Sequence, residues 1–264
     1  MPDTPALEQA LLAVDGHVAT VTLNRPDQRN PLSAGMLRDL ASAFRWCQGE
    51  PEVRVVVLTG AGDRAFCAGA DLSSFDGEIS DLERYRSRDL FVDLFVLMAE
   101  LGKPIVGRIN GHALAGGFGL ACSCDLLVSV DTATFGTPEI NVGIWPMMIQ
   151  AILSRNVPRK VLLEMEMLGD RWTAVQMHQF GVVNRVVAHE QLDPAVKDIT
   201  DRLAKKSPIA LRLGRDSFYR QQDTEFRAAL AYLHGQFMVV TLTDDAKEGI
   251  KAFFEKRDPD FKGR

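Results

Sequence analysis

The chain has 264 residues, of which 46% are hydrophobic and 25% charged, and its formal net charge is −5. This is the balance of an ordinary globular protein, and the length allows one large domain or one domain with a smaller appendage. A pI near 5.6 argues against nucleic-acid binding, which needs a basic stripe, and no apolar run reaches the roughly 18 residues of a membrane span. Residues 1–9 are polar and acidic, unlike a signal or transit peptide. We therefore expect a cytoplasmic protein with no nucleic-acid or membrane partner.

The first predicted elements are a hairpin and a helix. Residues 11–15 and 17–23 have the composition of β-strands, and Asp15-Gly16 between them favours a tight turn. Ser33 is a suitable N-cap for a helix over residues 34–47, whose apolar side chains recur on one face.

The middle of the chain alternates buried strands with helices, which predicts α/β layering with crossover connections. Its apolar, β-branched runs predict strands over residues 53–59, 104–109 and 126–130, and its helical periods predict helices over 89–101 and 116–123. From residue 193 onward only helical patterns remain, over residues 194–206, 208–220, 224–239 and 244–257. We therefore predict a core over residues 1–193 and a helical C-terminal region over 194–264.

Four cysteines lie in apolar segments without zinc-ribbon spacing, which is typical of reduced core residues and predicts no metal site: Cys47, Cys67, Cys122 and Cys124. The alternative is a redox or metal pair made by Cys122 and Cys124. It is less favoured because no second Cys/His pair lies within reach in the sequence.

The stretch after residue 59 first suggests a dinucleotide-binding turn. Gly60, Gly62 and Ala65 have the spacing of the glycine fingerprint that follows the first strand of a Rossmann fold. That turn has to open an amphipathic helix, because the N–H groups of the helix hold the pyrophosphate. Residues 66–71 show no helical period, so nucleotide binding is the less favoured interpretation.

A second stretch of small residues, 115–117, opens the helix predicted after the strand 104–109. Such residues let a ligand or another backbone segment approach closely, and the first N–H groups of a helix lack intrahelical acceptors. Close helix–strand packing also requires glycines, so that alternative stays open. If this strand neighbours the one before residues 66–70, two backbone N–H groups can converge on one carbonyl oxygen and form an oxyanion hole.

Glu139 follows the last predicted strand and is flanked by the mostly apolar residues 140–145. Removal from water would raise the pKa of its carboxyl group and make it a useful base. The simpler alternative is a glutamate in a first helical turn after Pro138, where the helix dipole favours a negative charge. His112 is close to the small-residue stretch in sequence, and we expect it to pack behind that loop.

Six segments, taken in chain order, resemble the enoyl-CoA hydratase/isomerase, or crotonase, superfamily. They are NRPDQRNPLS from Asn24, AFCAGADL from Ala65, NGHALAGGFGLACSCD from Asn110, FGTPEINVG from Phe135, LGDRWTAVQMHQFGVVNRVV from Leu168 and FFEKRDPDFKGR from Phe253. The resemblance covers nearly the whole chain. It is much more specific for the fold and superfamily than for one reaction.

The resemblance implies the ClpP/crotonase fold, an α/β spiral of ββα units with a helical C-terminal trimerisation region, and a homotrimer or a hexamer of paired trimers. It implies an acyl-CoA thioester such as an enoyl-CoA as substrate, with no separate cofactor, because coenzyme A is part of the substrate. The amides that hold the thioester oxygen map to Ala68 and Gly116, and the acid/base maps to Glu139. The residues implied to contact CoA are Asn24, Arg25, Arg29, Ala68, Gly69, Ala70, Asp71, Phe253 and Lys256, and the last two would often reach a neighbouring subunit.

Two features depart from the hydratases of this superfamily. Hydratases use two glutamates. One of them matches Glu139, and the position of the other is occupied here by Gly119. The run after the segment of Glu139 is glycine-rich in hydratases, whereas here it reads WPMMIQ over residues 145–150. Hydration needs one group for the water and another for the α-carbon proton, whereas a 1,3 double-bond shift needs one base.

We therefore predict Δ3-to-Δ2 enoyl-CoA isomerisation with Glu139 as the single acid/base. Two alternatives are hydration with a substitute acid and an acyl-CoA-binding relative with little catalysis. The acids considered as substitutes lie in or after the first loop: Asp71, Asp76, Glu78, Asp81 and Glu83. Asp71 is expected to be structural, and the other four to face solvent.

Overall fold

A computed structural model describes residues 4–71 and 81–264, and for residues 81–88 it describes the helical backbone alone. Asp76 and Glu78, considered above as substitute acids, lie outside the described residues, as do the side chains of Asp81 and Glu83. The strands are β1 Ala10–Asp15, β2 Val18–Leu23, β3 Val55–Gly60, β4 Ala65–Cys67, β5 Ile105–Ile109, β6 His112–Leu114, β7 Leu126–Val130, β8 Thr134–Gly136, β9 Arg171–Thr173 and β10 Arg185–Val187. The helices are α1 Ala34–Gly49, α2 Asp81–Ala99, α3 Gly116–Cys122, α4 Met147–Asn156, α5 Arg159–Leu168, α6 Ala174–Gln179, α7 Leu192–Ala204, α8 Pro208–Gln221, α9 Phe226–Thr241 and α10 Asp244–Glu255.

The strands form two sheets. The larger has the order β1-β2-β3-β5-β7-β10, with β1 antiparallel to β2 and the remaining neighbours parallel. The smaller has the order β4-β6-β8-β9. Each of β3, β5 and β7 in the larger sheet is followed by β4, β6 or β8 in the smaller one and then by a helix. This repetition is the predicted spiral of ββα units.

The predicted elements of the first half are confirmed in type, and in place except for the start of the helix predicted over residues 89–101. The hairpin pairs Asp15 with Val18 around Gly16, whose φ of 55° suits the turn. The Ser33 hydroxyl accepts a hydrogen bond from the Met36 amide and caps α1, as predicted. All six residues of β3 are buried, as expected for a strand between two parallel neighbours.

The short strands of the smaller sheet are absent from the predictions. Each has three residues, too few for an alternating pattern to emerge from the sequence. The helix predicted to begin at residue 89 begins at Asp81 instead. These differences matter for function because the smaller sheet holds the loops that carry the candidate site.

The C-terminal helices agree with the predicted ones to within two residues at each end. The first of them, α7, packs against β3, β5, β7 and β10 and so covers the larger sheet. Helices α8 to α10 pack on one another, and Arg215 of α8 fastens them to the core by donating to the Asp125 carboxylate and to the carbonyl oxygens of Met98 and Ala99.

All four cysteines are buried and free, and burial raises the pKa of the Cys47 and Cys67 thiols to about 12. In the parts of the chain that the structure describes, no helix has the length and hydropathy of a membrane span. Within the same parts, no cluster of three or more His, Cys, Asp or Glu residues is arranged to hold a metal ion.

Candidate active site

The two small-residue loops, residues 66–70 and 115–117, lie side by side. The strands predicted before them, β3 and β5, are neighbours in the larger sheet, which is the condition stated above for two N–H groups to converge. Strand β4 pairs in parallel with β6, so the residues that follow each strand leave the sheet at the same edge. A Cβ built on Gly69 would lie 2.7 Å from the Cβ of Ala115, and one built on Gly117 would lie 2.2 Å from the carbonyl oxygen of Cys67. Close packing therefore accounts for Gly69 and Gly117, which agrees with the packing alternative given above for such glycines.

The amide of Ala68 does not face this site. It donates to the carbonyl oxygen of Arg29 over 3.0 Å, so it has no free N–H for a thioester oxygen. The prediction of Ala68 as one of the two donors is therefore wrong, because this amide already bonds the segment after β4 to the loop that contains Arg29.

The amide of Ala70 differs from that of Ala68 in its hydrogen bonding. The carbonyl oxygen of Gly69 accepts from the Leu32 amide over 2.8 Å, and a trans peptide directs the Ala70 N–H to the opposite side. Gly116 lies close to this amide, since a Cβ built there would be 3.6 Å from the Ala70 nitrogen. Within the described residues, the Ala70 N–H has no protein acceptor.

Gly116 is the first residue of α3, so its N–H has no acceptor within the helix, and none elsewhere among the described residues. The preceding residue, Ala115, has φ 50° and ψ −129°, a backbone conformation that residues other than glycine rarely adopt. A glycine would adopt it freely. The amide of Ala115 donates to Gly136 in β8 over 2.9 Å, which fixes the start of this turn. The strained turn thus sets the direction of the Gly116 N–H.

Glu139 reaches the same edge of the smaller sheet by way of β8. Leu114 of β6 is opposite Gly136 of β8, so the turn at Ala115 and the segment leading to Glu139 leave neighbouring strands together. Pro138–Val142 form a 3₁₀ turn that contains Glu139 in its first turn, as the simpler alternative predicted. The Oε2 atom is nevertheless buried without a hydrogen-bond partner in the described chain. Burial raises the pKa of this carboxyl group above its usual range, as predicted for a base removed from water.

Gly119 leaves no room for a second carboxylate on α3. A Cβ built there would lie 2.3 Å from Cγ2 and 2.7 Å from Cβ of Ile149, which is buried on α4. These are contacts with the branched part of a packed side chain, and they can be relieved only if α4 shifts. Ile149 therefore fills the space that a side chain at position 119 would need.

Asn24, Arg25 and Arg29 lie in a loop that is hydrogen-bonded to the segment 65–71. The Arg25 guanidinium donates to the Asp71 carboxylate over 2.9 Å, and both side chains are largely buried. Asn30, fully buried, donates to the carbonyl oxygens of Ala61 and Ala65. Asp71 thus has the structural partner that we expected, whereas Asn24 and Arg29 are exposed along this loop.

His112 packs behind the loop, as predicted. Its Nδ1 atom accepts from the amide of Thr134 over 3.2 Å. Burial, with the nearby cations Arg171 and Arg29, lowers the pKa of this imidazole. His112 is therefore neutral at physiological pH and belongs to the scaffold.

Phe253 and Lys256 are distant in the chain from these loops and lie at the end of α10. Phe253 is 78% exposed, and Lys256 caps the helix with φ 56°. Within this single chain, α10 packs against α8 and α9. Both side chains are therefore available to a neighbouring molecule.

The sequence analysis missed one titratable residue next to the site, Glu166 of α5. It is fully buried, and its pKa is raised by burial and by the nearby Glu139 carboxylate. A signal was present, because Leu162, Met165 and Glu166 form the buried stripe of α5. A glutamate within an apolar stripe at helical spacing is the pattern that would have identified it.

Comparisons with known proteins settle the family. The family model described as enoyl-CoA hydratase/isomerase matches residues 14–264. A putative enoyl-CoA hydratase of Thermus thermophilus is 38% identical over 250 residues, covering 93% of this chain and 98% of that protein. The crystal structure of an enoyl-CoA hydratase from Mycobacterium smegmatis superposes with a TM-score of 0.93 at 35% identity, covering 96% of this chain and 99% of the other.

The chain belongs to the enoyl-CoA hydratase/isomerase family. The crotonase fold expected from the resemblance is confirmed. The protein is an enzyme of this family that acts on an acyl-CoA. Several similar proteins are named as hydratases, among them the short-chain-enoyl-CoA hydratase of Clostridium acetobutylicum, which is 32% identical over 252 residues, covering 95% of this chain and 96% of that protein.

Proposed function

We propose that this family member isomerises 3-enoyl-CoA thioesters to 2-enoyl-CoA thioesters, with Glu139 as the only acid/base that touches the substrate. The observation that carries this proposal is the packing of Ile149 against Gly119, which denies α3 the second carboxylate. Hydration needs two polar groups around a water molecule, whereas a double-bond shift needs one base that takes and returns a proton.

The proposed oxyanion hole consists of the Ala70 and Gly116 amides. Support comes from their N–H groups, which have no acceptor among the described residues, and from the 3.6 Å between the Ala70 nitrogen and a Cβ built on Gly116. Each donor of this kind stabilises the transition state by about 3–4 kcal/mol. Because backbone donors do not have to reorganise, they hold the negative charge as soon as it forms on the thioester oxygen.

The proposed reaction conserves all atoms. The Glu139 carboxylate removes a proton from C2, and the C–H electrons enter a dienolate whose negative charge rests on the thioester oxygen. The Glu139 carboxyl group then returns the proton to C4, the carbonyl re-forms and the double bond lies between C2 and C3. Burial, which raises the pKa of Glu139, makes the carboxylate a stronger base for the weakly acidic C2 proton.

We also propose that coenzyme A lies along the loop of Asn24, Arg25 and Arg29. Arg25 is engaged with Asp71 and would hold the loop in shape, which leaves the exposed Arg29 as the cation for a phosphate group. Phe253 and Lys256 would reach CoA on a neighbouring subunit, because both are exposed in the single chain.

A homotrimer, alone or paired into a hexamer, is the assembly we propose. Helix α9 buries Ala229 alone and exposes large apolar side chains to a degree that is unusual for an isolated chain. Those of α9 and α10 that are at least 60% exposed are Phe226, Phe237, Ile250, Phe253 and Phe254. The molar mass measured by analytical ultracentrifugation tests this: three or six chains support it, and a stable monomer contradicts it.

Hydration is the second candidate, and two observations favour it. Several relatives are named as hydratases, and Glu166 supplies a second carboxyl group close to Glu139. A panel of 2-enoyl and 3-enoyl CoA esters of varied chain length separates the candidates. Turnover of the 3-enoyl esters alone supports isomerisation, and robust loss of the 2-enoyl absorbance with crotonyl-CoA supports hydration. Binding of acyl-CoA without turnover of either class would favour a relative with little catalysis.

A further inference from the structure

Two apolar side chains border the space next to the proposed oxyanion hole. A Cβ built on Gly116 would lie 3.5 Å from Cδ1 of Leu32 and 3.5 Å from Cε1 of Phe91. Its third neighbour is the Ala70 nitrogen, at 3.6 Å. Non-bonded carbon atoms lie about 3.5–4.0 Å apart at their optimal separation, so a single atom fills the space between these three groups. A thioester oxygen that accepts from the Ala70 amide therefore has both side chains as neighbours.

Leu32 is held in place by the backbone that carries the Ala70 amide. The amide of Leu32 donates to the carbonyl oxygen of Gly69 over 2.8 Å, and its own carbonyl oxygen accepts from the Asp71 amide over 3.2 Å. Leu32 and Ala70 form a parallel bridge through these two bonds. Leu32, which is buried, therefore cannot withdraw from this space without breaking hydrogen bonds on both sides of Ala70.

Phe91 reaches the same space from a separate element, helix α2. The helix packs against α1, and Phe91 is buried in the same apolar core as Leu32. Its ring lies against that of Phe95, one turn further along the helix, with the ring centroids 6.3 Å apart. Because Phe91 lies on neither of the two loops that carry the donor amides, its side chain can be shortened without changing those loops.

The proposed dienolate determines which substrate atoms lie beside the oxygen. C1 and C2 share a double bond in this intermediate, so the two substituents of C2 lie in one plane with the oxygen and the sulfur. One substituent is on the side of the oxygen, and the other is on the side of the sulfur. In an unbranched ester one of the two is a hydrogen atom. In an ester with a methyl group on C2 both are carbon atoms, so a carbon atom has to lie beside the oxygen.

We propose that Phe91 is a specificity-determining residue that, together with Leu32, excludes thioesters branched at C2. This proposal rests on the proposed isomerisation and its two-amide oxyanion hole. With the oxygen between Leu32, Phe91 and the Ala70 amide, the two side chains leave room beside it for a hydrogen atom and none for a carbon atom. A methyl group on C2 displaces the oxygen from the amides, so the substrates of this chain are 3-enoyl-CoA thioesters that are linear at C2.

The test compares 3-pentenoyl-CoA with 2-methyl-3-pentenoyl-CoA in the wild type, Phe91→Leu, Phe91→Ala and the control Val96→Ala, an exposed residue of α2. We expect the wild type and the control to favour the unbranched ester in kcat/KM by roughly 10–200-fold, the discrimination that one carbon atom gives in an apolar site. Phe91→Leu should reduce this preference, and Phe91→Ala should nearly abolish it, because each variant removes part of the wall. Thermal unfolding checks the fold, and the leucine variant carries the test if the alanine variant does not fold.

Binding of the corresponding 2-enoyl esters separates failure of this inference from failure of the proposed function. Crotonyl-CoA and its 2-methyl derivative are planar at C2 in the same way as the dienolate, and calorimetry in a Glu139→Gln background, which lacks the base, measures their dissociation constants. We expect crotonyl-CoA to bind more tightly with Phe91 intact and the two esters to bind nearly alike after Phe91→Ala. If no 3-enoyl ester is isomerised, the proposed function fails, while these constants still report on Phe91. Equal affinities for the two esters with Phe91 intact, or a preference that persists in both Phe91 variants, would overturn the role of Phe91.

Discussion

Substitution of Gly116 by alanine tests the proposed oxyanion hole without disturbing the rest of the fold. The added Cβ would lie 3.5 Å from Cδ1 of Leu32, 3.5 Å from Cε1 of Phe91 and 3.6 Å from the Ala70 nitrogen. All three are ordinary van der Waals contacts, and Gly116 has no positive φ, so the chain accommodates the methyl group. A thioester oxygen that accepts from Ala70 needs the same space, since it lies about 3 Å from the donor nitrogen.

The expected cost follows from the donors lost. Removal of one oxyanion-hole donor lowers kcat by about 10²–10³, so Gly116→Ala should lower kcat/KM by at least this factor. The assay is steady-state turnover of the best ester in the enoyl-CoA panel, together with thermal unfolding to confirm the fold. Gly49→Ala is a matched control, because an added Cβ at the end of α1 meets nothing within 4 Å. A folded Gly116→Ala enzyme that keeps wild-type kcat/KM would refute the two-amide site.

Three further predictions follow from the same geometry. Glu139→Gln should lower kcat by about 10²–10⁴ while acyl-CoA binding stays intact. In the wild type, kcat/KM should fall as the pH is lowered, because protonation of Glu139 removes the base. The fall should occur at a pH above the usual glutamate range, because burial raises the pKa of Glu139. An acidic limb at an ordinary glutamate pKa would contradict that. Ala115→Gly should stabilise the protein by about 1–3 kcal/mol, since it relieves the φ of 50°; a lower melting temperature would show that this turn is not strained. Gly119→Glu should lower the melting temperature and give no hydratase activity, because of Ile149, whereas a stable Gly119→Glu variant that hydrates crotonyl-CoA would show that α4 yields freely.

Five of the six strands of the larger sheet were predictable from sequence because they have five or six residues and show a composition, whereas β10 has three residues and was not predicted. The β-branched residues of β3 favour a strand and Gly16 favours a tight turn, and both local preferences are retained in the fold. Strands β4, β6, β8 and β9 have three residues each and pair with one another across distant parts of the chain. Such elements depend on contacts between distant parts of the chain and have little local signal.

The candidate site was predictable in outline for a similar reason. Small residues after two buried strands indicate close backbone approach, and Gly69 and Gly116 do lie side by side. The choice of Ala68 as a donor amide was wrong, because the direction of a peptide N–H depends on its hydrogen bonds and not on residue type. The Ala68 amide donates to the carbonyl oxygen of Arg29, whereas the Ala70 amide has no acceptor among the described residues.

Two other features lay beyond sequence reasoning. Ile149 and Gly119 are thirty positions apart, and their contact arises from the packing of α3 against α4. Glu166 gave a signal within its own helix, but only the fold shows that α5 packs against the turn that contains Glu139. The same sequence pattern would describe a glutamate buried anywhere in the core.

The most direct measurement is a crystal structure of the complex with a saturated acyl-CoA, which binds without reacting. We predict the thioester oxygen within about 3 Å of both the Ala70 and Gly116 nitrogens, with the Glu139 carboxyl group facing the carbon next to the carbonyl. A thioester oxygen bound by neither amide, or a Glu139 side chain turned away from that carbon, would contradict the proposed chemistry.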